Sequence, residues 1–203
     1  MGAGRRRAPR ALCGRRRALE GRAPVIVGSG HLDDDQAARL VGAAAEAGAA
    51  AVLALSPPHA DDVRPHYEAL ATHADGLALL AYHFPAVSPP GIPVEVLPEL
   101  PIAGLKDSSS DAGRLVAELG AYDGPLYVGS AAYLALAGTL GVTGAILSLA
   151  NTDPEGCIAA LAGDMDAQRE LLPAHRESRA DFPAGLKRRL ARTAGTSPAV
   201  RAR

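Results

Sequence analysis

A chain of 203 residues and 20.7 kDa is long enough to bury a sizeable core as one folded unit, which excludes the miniature scaffolds that depend on disulfides or a structural metal. Aromatic residues make up 3% with no tryptophan, so modules that stack single-stranded nucleic acid on aromatic platforms are excluded, and a net charge of -1 gives no general attraction to nucleic acid or an anionic membrane. Cys13 and Cys157 form neither a CxxC pair nor a disulfide framework, which suits a reducing, cytoplasmic setting.

Residues 1–17 carry seven arginines and no acid. Their only apolar run, Ala11 to Cys13, is too short for a secretory signal, so this stretch reads as a disordered or misassigned start. No window of about 18 apolar residues free of charge follows, so no membrane span is expected. From Pro24 onward, short apolar runs alternate with alanine-rich segments, the pattern of βα units around a parallel sheet. Six strands are predicted: Val25 to Val27, Ala51 to Leu55, Leu77 to Tyr82, Ile102 to Leu105, Leu126 to Val128 and Gly144 to Leu149. Continuous apolar runs of this kind imply burial on both faces.

Helices are predicted over Asp33 to Ala47, Asp61 to Ala74, Ser110 to Leu119 and Ala131 to Leu140. Asp33, Asp34 and Asp35 suit a helix start, and Ser108 with Asp111 has the spacing of a capping box. Gly48, Gly120 and Gly141 stand where a left-handed helix C-terminus is wanted. Two further helices, Asp153 to Leu161 and Asp164 to Ser178, precede a basic tail from Lys187. One domain over residues 18–190, with a basic tail over 191–203, is the expected organisation.

Chemistry is sought at strand ends, because parallel sheets build their sites at the C-terminal edge. Gly28, Ser29 and Gly30 follow a strand, yet the third glycine of a dinucleotide fingerprint is replaced by Asp33, whose carboxylate would repel a pyrophosphate. A nucleotide-binding α/β domain is therefore a minor alternative. His59, His66 and His73 recur every seven residues, too far apart along a helix to share one ion directly, so surface or capping roles are expected. No metalloprotease or serine-hydrolase motif occurs.

Lys106, in PIAGLKDSSSD, closes an apolar strand. A lysine there loses hydration, and a neutral amine attacks a carbonyl to give a Schiff base; the plain alternative is a lysine that reaches solvent or pairs with Asp107. Tyr82 ends the neighbouring strand, where a phenol relays protons beside an imine or simply packs its ring. Ser56, and Gly129 with Ser130, are small residues at strand ends that leave room for a ligand or serve turns.

Taken in order, these segments resemble the pyruvate-dependent class I aldolase family of dihydrodipicolinate synthase and N-acetylneuraminate lyase. PVIVGSG resembles the family's third strand, AVLALSPPH its TPYY-ending fourth, AYHFP its YNxP segment and GLKDSSSD its GxKDSSGD segment. LYVGSAAYLALAGTLGVTGAILSLAN resembles its last two strands, and PAGLKRRL its C-terminal helix. The resemblance implies a (β/α)8 TIM barrel, incomplete here with about six βα units, the first two missing, followed by C-terminal helices. It implies a Schiff base on Lys106, a proton relay at Tyr82 and a pyruvate-binding region at Ser56, Gly129, Ile146 and Ser148. The implied partner is a 2-keto acid such as pyruvate, in a dimer or tetramer, with no metal or organic cofactor. His59 falls at the second tyrosine of TPYY, and Val87 where dihydrodipicolinate synthases place a carboxylate-binding arginine. The expected substrate is accordingly another 2-keto acid, such as a 2-keto-3-deoxy sugar acid. The alternative is a non-catalytic, truncated relative of the family.

Overall fold

All six expected strands form: β1 (Ile26–Gly28), β2 (Ala51–Leu55), β3 (Ala78–His83), β4 (Gly104–Asp107), β5 (Leu126–Val128) and β6 (Gly144–Ala145). They alternate with helices α1 (Asp34–Glu46), α2 (Arg64–Thr72), α3 (Ala112–Ala121) and α4 (Leu134–Thr139), and α5 (Pro154–Leu161), α6 (Met165–Ala180) and α7 (Ala184–Ala194) follow. The structure, a computed structural model, describes residues 21–30 and 34–200. The arginine-rich residues 1–17 and Asp33, on which the nucleotide reading turned, lie outside the described residues. The described residues divide into two units, one running up to Ser109 with Ala117–Pro125, and the other Ser110–Val116 with the residues from Leu126 on.

In the first unit β1 to β4 pair in parallel and in chain order. Side chains alternate across a strand, so the register Leu55 to Tyr82 to Lys106 puts these three residues on one face of the sheet. Burial alternates too: Val52 and Ala54 are fully enclosed, whereas Leu53 and Leu55 are half-buried. The expected burial on both faces thus holds along β4, where all four residues are buried, whereas one face of β2 is only partly covered.

Strand β4 starts two residues later than its apolar run and continues through Asp107, so Lys106 lies inside the strand instead of closing it. At Gly104 a Cβ would stand 2.9 Å from Leu80 Cδ2 and 3.0 Å from the Pro125 carbonyl oxygen, an approach only glycine permits. Helix α2 starts at Arg64 instead of Asp61, with Pro65 in its first turn and Asp62 accepting the Arg64 N–H at 3.0 Å.

The second unit pairs β5 with β6 in parallel. Strand β6 is shorter than expected. Ile146 N still donates to Val128 O at 2.9 Å, but Ser148 then opens a 3-10 turn in which Asn151 N and Nδ2 both donate to its carbonyl. That local side-chain bond competes with the ladder. Asp153 caps α5 by accepting from Gly156 N, and Asp164 caps α6 by accepting from Asp166 N and Ala167 N. Asp111, not Ser108, serves α3, accepting from Arg114 N at 3.0 Å. Gly48 and Gly141 take the expected left-handed conformation, whereas Gly120 lies within α3. The basic tail becomes helical as far as Ala194. Among the described residues, no helix is long and apolar enough to cross a membrane.

Candidate active site

Three of the sequence-derived residues come together in the first unit. Lys106 is flanked on β4 by Leu105 and Asp107, both fully buried, and is itself only 8% exposed. Its Nζ sits 4.2 Å from the centroid of the Tyr82 ring, its register partner on β3. Asp107 points to the opposite face and accepts from Ser109 N at 2.7 Å and Ser109 Oγ at 2.8 Å. The pairing of Lys106 with Asp107, open on spacing alone, is therefore replaced by a lysine against a phenol ring.

Burial withholds water from the ammonium and lowers the amine from its ordinary 10.5 to about 8. At pH 7 roughly a tenth of the amine is then neutral, against a few ten-thousandths for an exposed lysine. This carries a stability cost. Below pH 8 the lysine is protonated both folded and unfolded, and the folded state bears the full desolvation penalty; above 10.5 it is neutral in both and the penalty vanishes. Lys106→Met, which keeps the stem and removes the charge, should therefore raise stability at pH 7 by about 2 kcal/mol, a gain that shrinks as pH climbs from 8 towards 10.5. Denaturant midpoints across that range check it; a loss of stability at pH 7 would mean that the ammonium is well solvated.

Ser56, just past β2, is 1% exposed and donates its N–H to Tyr82 O at 3.2 Å. Its carbonyl accepts from Ser88 Oγ at 2.5 Å, and its own Oγ has no hydrogen-bond partner among the described residues. The segment after β3 is fastened twice more: His59 N donates to Pro89 O at 2.6 Å, and Ile92 N to His83 Nδ1 at 2.9 Å. The last bond makes His83 an acceptor at Nδ1. Its ring also lies over Gly91, where a Cβ would come within 2.4 Å.

Gly129, Ile146 and Ser148 belong to the second unit, where Gly129 follows β5 and Ile146 and Ser148 follow β6; Ser148 is exposed. His83, Phe84 and Ser88 escaped the sequence reading. The usable signal was the period of two along β3, which sets Phe84 on the face of Tyr82. The rings of Tyr82 and Phe84 stack at 5.6 Å between centroids with a 22° interplanar angle.

The histidine series dissolves as a ligand set, and no group of three metal-ligating side chains occurs among the described residues. His59 precedes α2 and His73 terminates it, as expected. His66 departs from the expected surface role: it is buried, with Nδ1 2.8 Å from Asp34 Oδ1. Its place on the inner face of α2 beside Tyr67 decided this, which seven-residue spacing does not reveal.

The family model described as the dihydrodipicolinate synthetase family matches residues 14–173. The chain is 32% identical over 181 residues to the 4-hydroxy-tetrahydrodipicolinate synthase of Hyphomonas neptunium, covering 77% of this chain and 60% of that protein. Similarity to the synthase of that name from Aromatoleum aromaticum is 33% over 165 residues, covering 74% and 56%. The chain thus spans about 60% of the length of such relatives. A monomeric dihydrodipicolinate synthase variant superposes with a TM-score of 0.85 at 19% identity, covering 96% of this chain and 72% of that one. The Acinetobacter baumannii dihydrodipicolinate synthase solved with pyruvate superposes at 0.82 with 25% identity, covering 92% and 70%. The fold is that of the (β/α)8 barrel, incomplete among the described residues, which supply six of its βα units.

Proposed function

Because the chain belongs to the dihydrodipicolinate synthetase family, we propose that it is a pyruvate-dependent lyase or synthase in which Lys106 forms the Schiff base and Tyr82 relays protons. The observation that carries this reading is the Lys106 amine, enclosed on β4 and set over the Tyr82 ring at 4.2 Å. A depressed amine beside a phenol is what imine chemistry needs: a nucleophile that is partly neutral at pH 7, with the side chain of an acid-base residue packed against it.

In the proposed step the neutral amine attacks the ketone carbon, the nitrogen gives up one of its protons, and the carbonyl oxygen takes up a proton in exchange to become a hydroxyl. Loss of that hydroxyl as water, with a second proton, leaves a protonated imine. The imine draws electrons from the adjacent carbon, so a carbon–carbon bond there can break or form. Ser56 supplies a buried hydroxyl with an open donor, and Gly129, Ile146 and Ser148 are assigned to the keto-acid region by the family resemblance. Val87, 57% exposed, offers no cation to a second carboxylate, which supports a substrate such as a 2-keto-3-deoxy sugar acid.

Pyruvate in deuterated buffer provides the test, because an imine that equilibrates with its enamine exchanges the methyl protons with solvent. The chain should catalyse methyl deuteration, and Tyr82→Phe should slow it by about 10²-fold, the usual worth of a positioned acid-base group. Exchange no faster than with Lys106→Ala would assign the chain to the non-catalytic alternative.

A further inference from the structure

We infer that Phe84 is a positioning residue whose ring, stacked on Tyr82, holds the phenol in place over the Lys106 amine. The inference rests on the imine reading of Lys106 and Tyr82. The backbone of Tyr82 is fixed by β3 and by the Ser56 N–H on its carbonyl, but the two side-chain torsions of its ring are not set by the strand ladder. Lys106, on a flexible four-carbon stem, cannot itself hold a ring still. The near-parallel ring of Phe84, with centroids 5.6 Å apart, can.

The backbone at Phe84 is anchored in turn, because its carbonyl accepts from Val87 N at 3.0 Å and Ser88 N at 2.9 Å. Those bonds open the segment that Ser88 Oγ, Pro89 O and Ile92 N tie back to Ser56, His59 and His83. The stack therefore links this hydrogen-bonded loop to the phenol. Phe84 has no proton to give and no group to bind a carbonyl, so its contribution to the chemistry acts through Tyr82 alone. It is also only half-buried, unlike the fully enclosed leucines of the core, which argues against a packing role as its main one. This chain places one of its two phenylalanines here.

The test compares Phe84→Leu, which keeps apolar bulk without a stackable ring, with Phe84→Tyr, which keeps the ring. With pyruvate and cyanoborohydride, reduced adduct on Lys106 should form about tenfold more slowly in Phe84→Leu and at close to the original rate in Phe84→Tyr. Without any keto acid, the carbon-13 ring signals of Tyr82, identified by their absence in Tyr82→Phe, should move towards averaged positions in Phe84→Leu only. Unchanged Tyr82 signals in Phe84→Leu would overturn the inference, as would a Phe84→Tyr variant that behaves like Phe84→Leu. Altered unfolding temperature with an unchanged adduct rate would also overturn it and leave Phe84 a packing residue. If the unaltered chain forms no adduct, the imine reading fails, and the Tyr82 signals still decide whether Phe84 holds the ring.

Discussion

Pyruvate and borohydride together should leave a reduced adduct on Lys106, formed at a rate that climbs through a midpoint near pH 8. The attacking species is the neutral amine, so the rate follows its fraction, and the fraction is set by how much hydration the folded chain withholds from the ammonium. The chain carries its own control, because Lys187 is its only other lysine. Lys187 lies on a basic helix, where its ammonium donates to the Ala199 carbonyl and is not enclosed in a strand. Peptide mass spectrometry should therefore place the adduct on the peptide holding Lys106, and Lys106→Ala should abolish it. Equal labelling of both lysines would mean that the β4 environment confers no selectivity, and a midpoint near 10.5 would mean that burial does not act on this amine.

The largest loss of stability should come from adding a single methyl group at Gly138. This glycine lies in α4, and a Cβ built there would stand 1.8 Å from the carbonyl oxygen of Leu161 and 2.8 Å from its carbonyl carbon, at the end of α5. Both obstacles are backbone atoms, so no rotamer change relieves the overlap; two helices have to separate. Gly138→Ala should therefore cost about 3 kcal/mol or more, beyond the usual range for overpacking. Gly120→Ala is the matched control. It also lies in a helix, nothing stands within 4 Å of its added Cβ, and it should stabilise by about 0.5–1 kcal/mol through helix propensity. Equilibrium unfolding of both variants checks the pair; equal effects would mean that α4 and α5 do not approach each other as closely as described.

Much of the site was legible before the fold was known, for reasons that are local. A lysine after IAGL and a tyrosine after ALLA must lie towards the C-terminal ends of their strands, and those ends are where parallel sheets work. What the sequence left open about Lys106 was its partner. Asp107 is adjacent in sequence but projects to the other face, whereas Tyr82, 24 positions earlier, is brought alongside by the register of β3 and β4. Phe84 was hidden in the same way, since one phenylalanine near a strand end has many possible neighbours until its ring orientation is known. His66 misled because its spacing suggested a surface series, while the helix face on which it fell was decided by what α2 packs against.

Strand and helix order, the helix starts near Asp153 and Asp164, the left-handed glycines at Gly48 and Gly141, and the placement of Lys106 and Tyr82 towards the C-terminal ends of their strands were determined by the sequence alone. Each depends on contacts within a few residues, which propensity, capping and the period of the chain already encode. Only the tertiary structure decided that the Lys106 amine is enclosed against a phenol, that Asp107 is turned away to Ser109, and that the loop after β3 is tied to Ser56, His59 and His83. These depend on which strands become neighbours and in which register, and a one-residue slip of β4 would exchange the faces of Lys106 and Asp107.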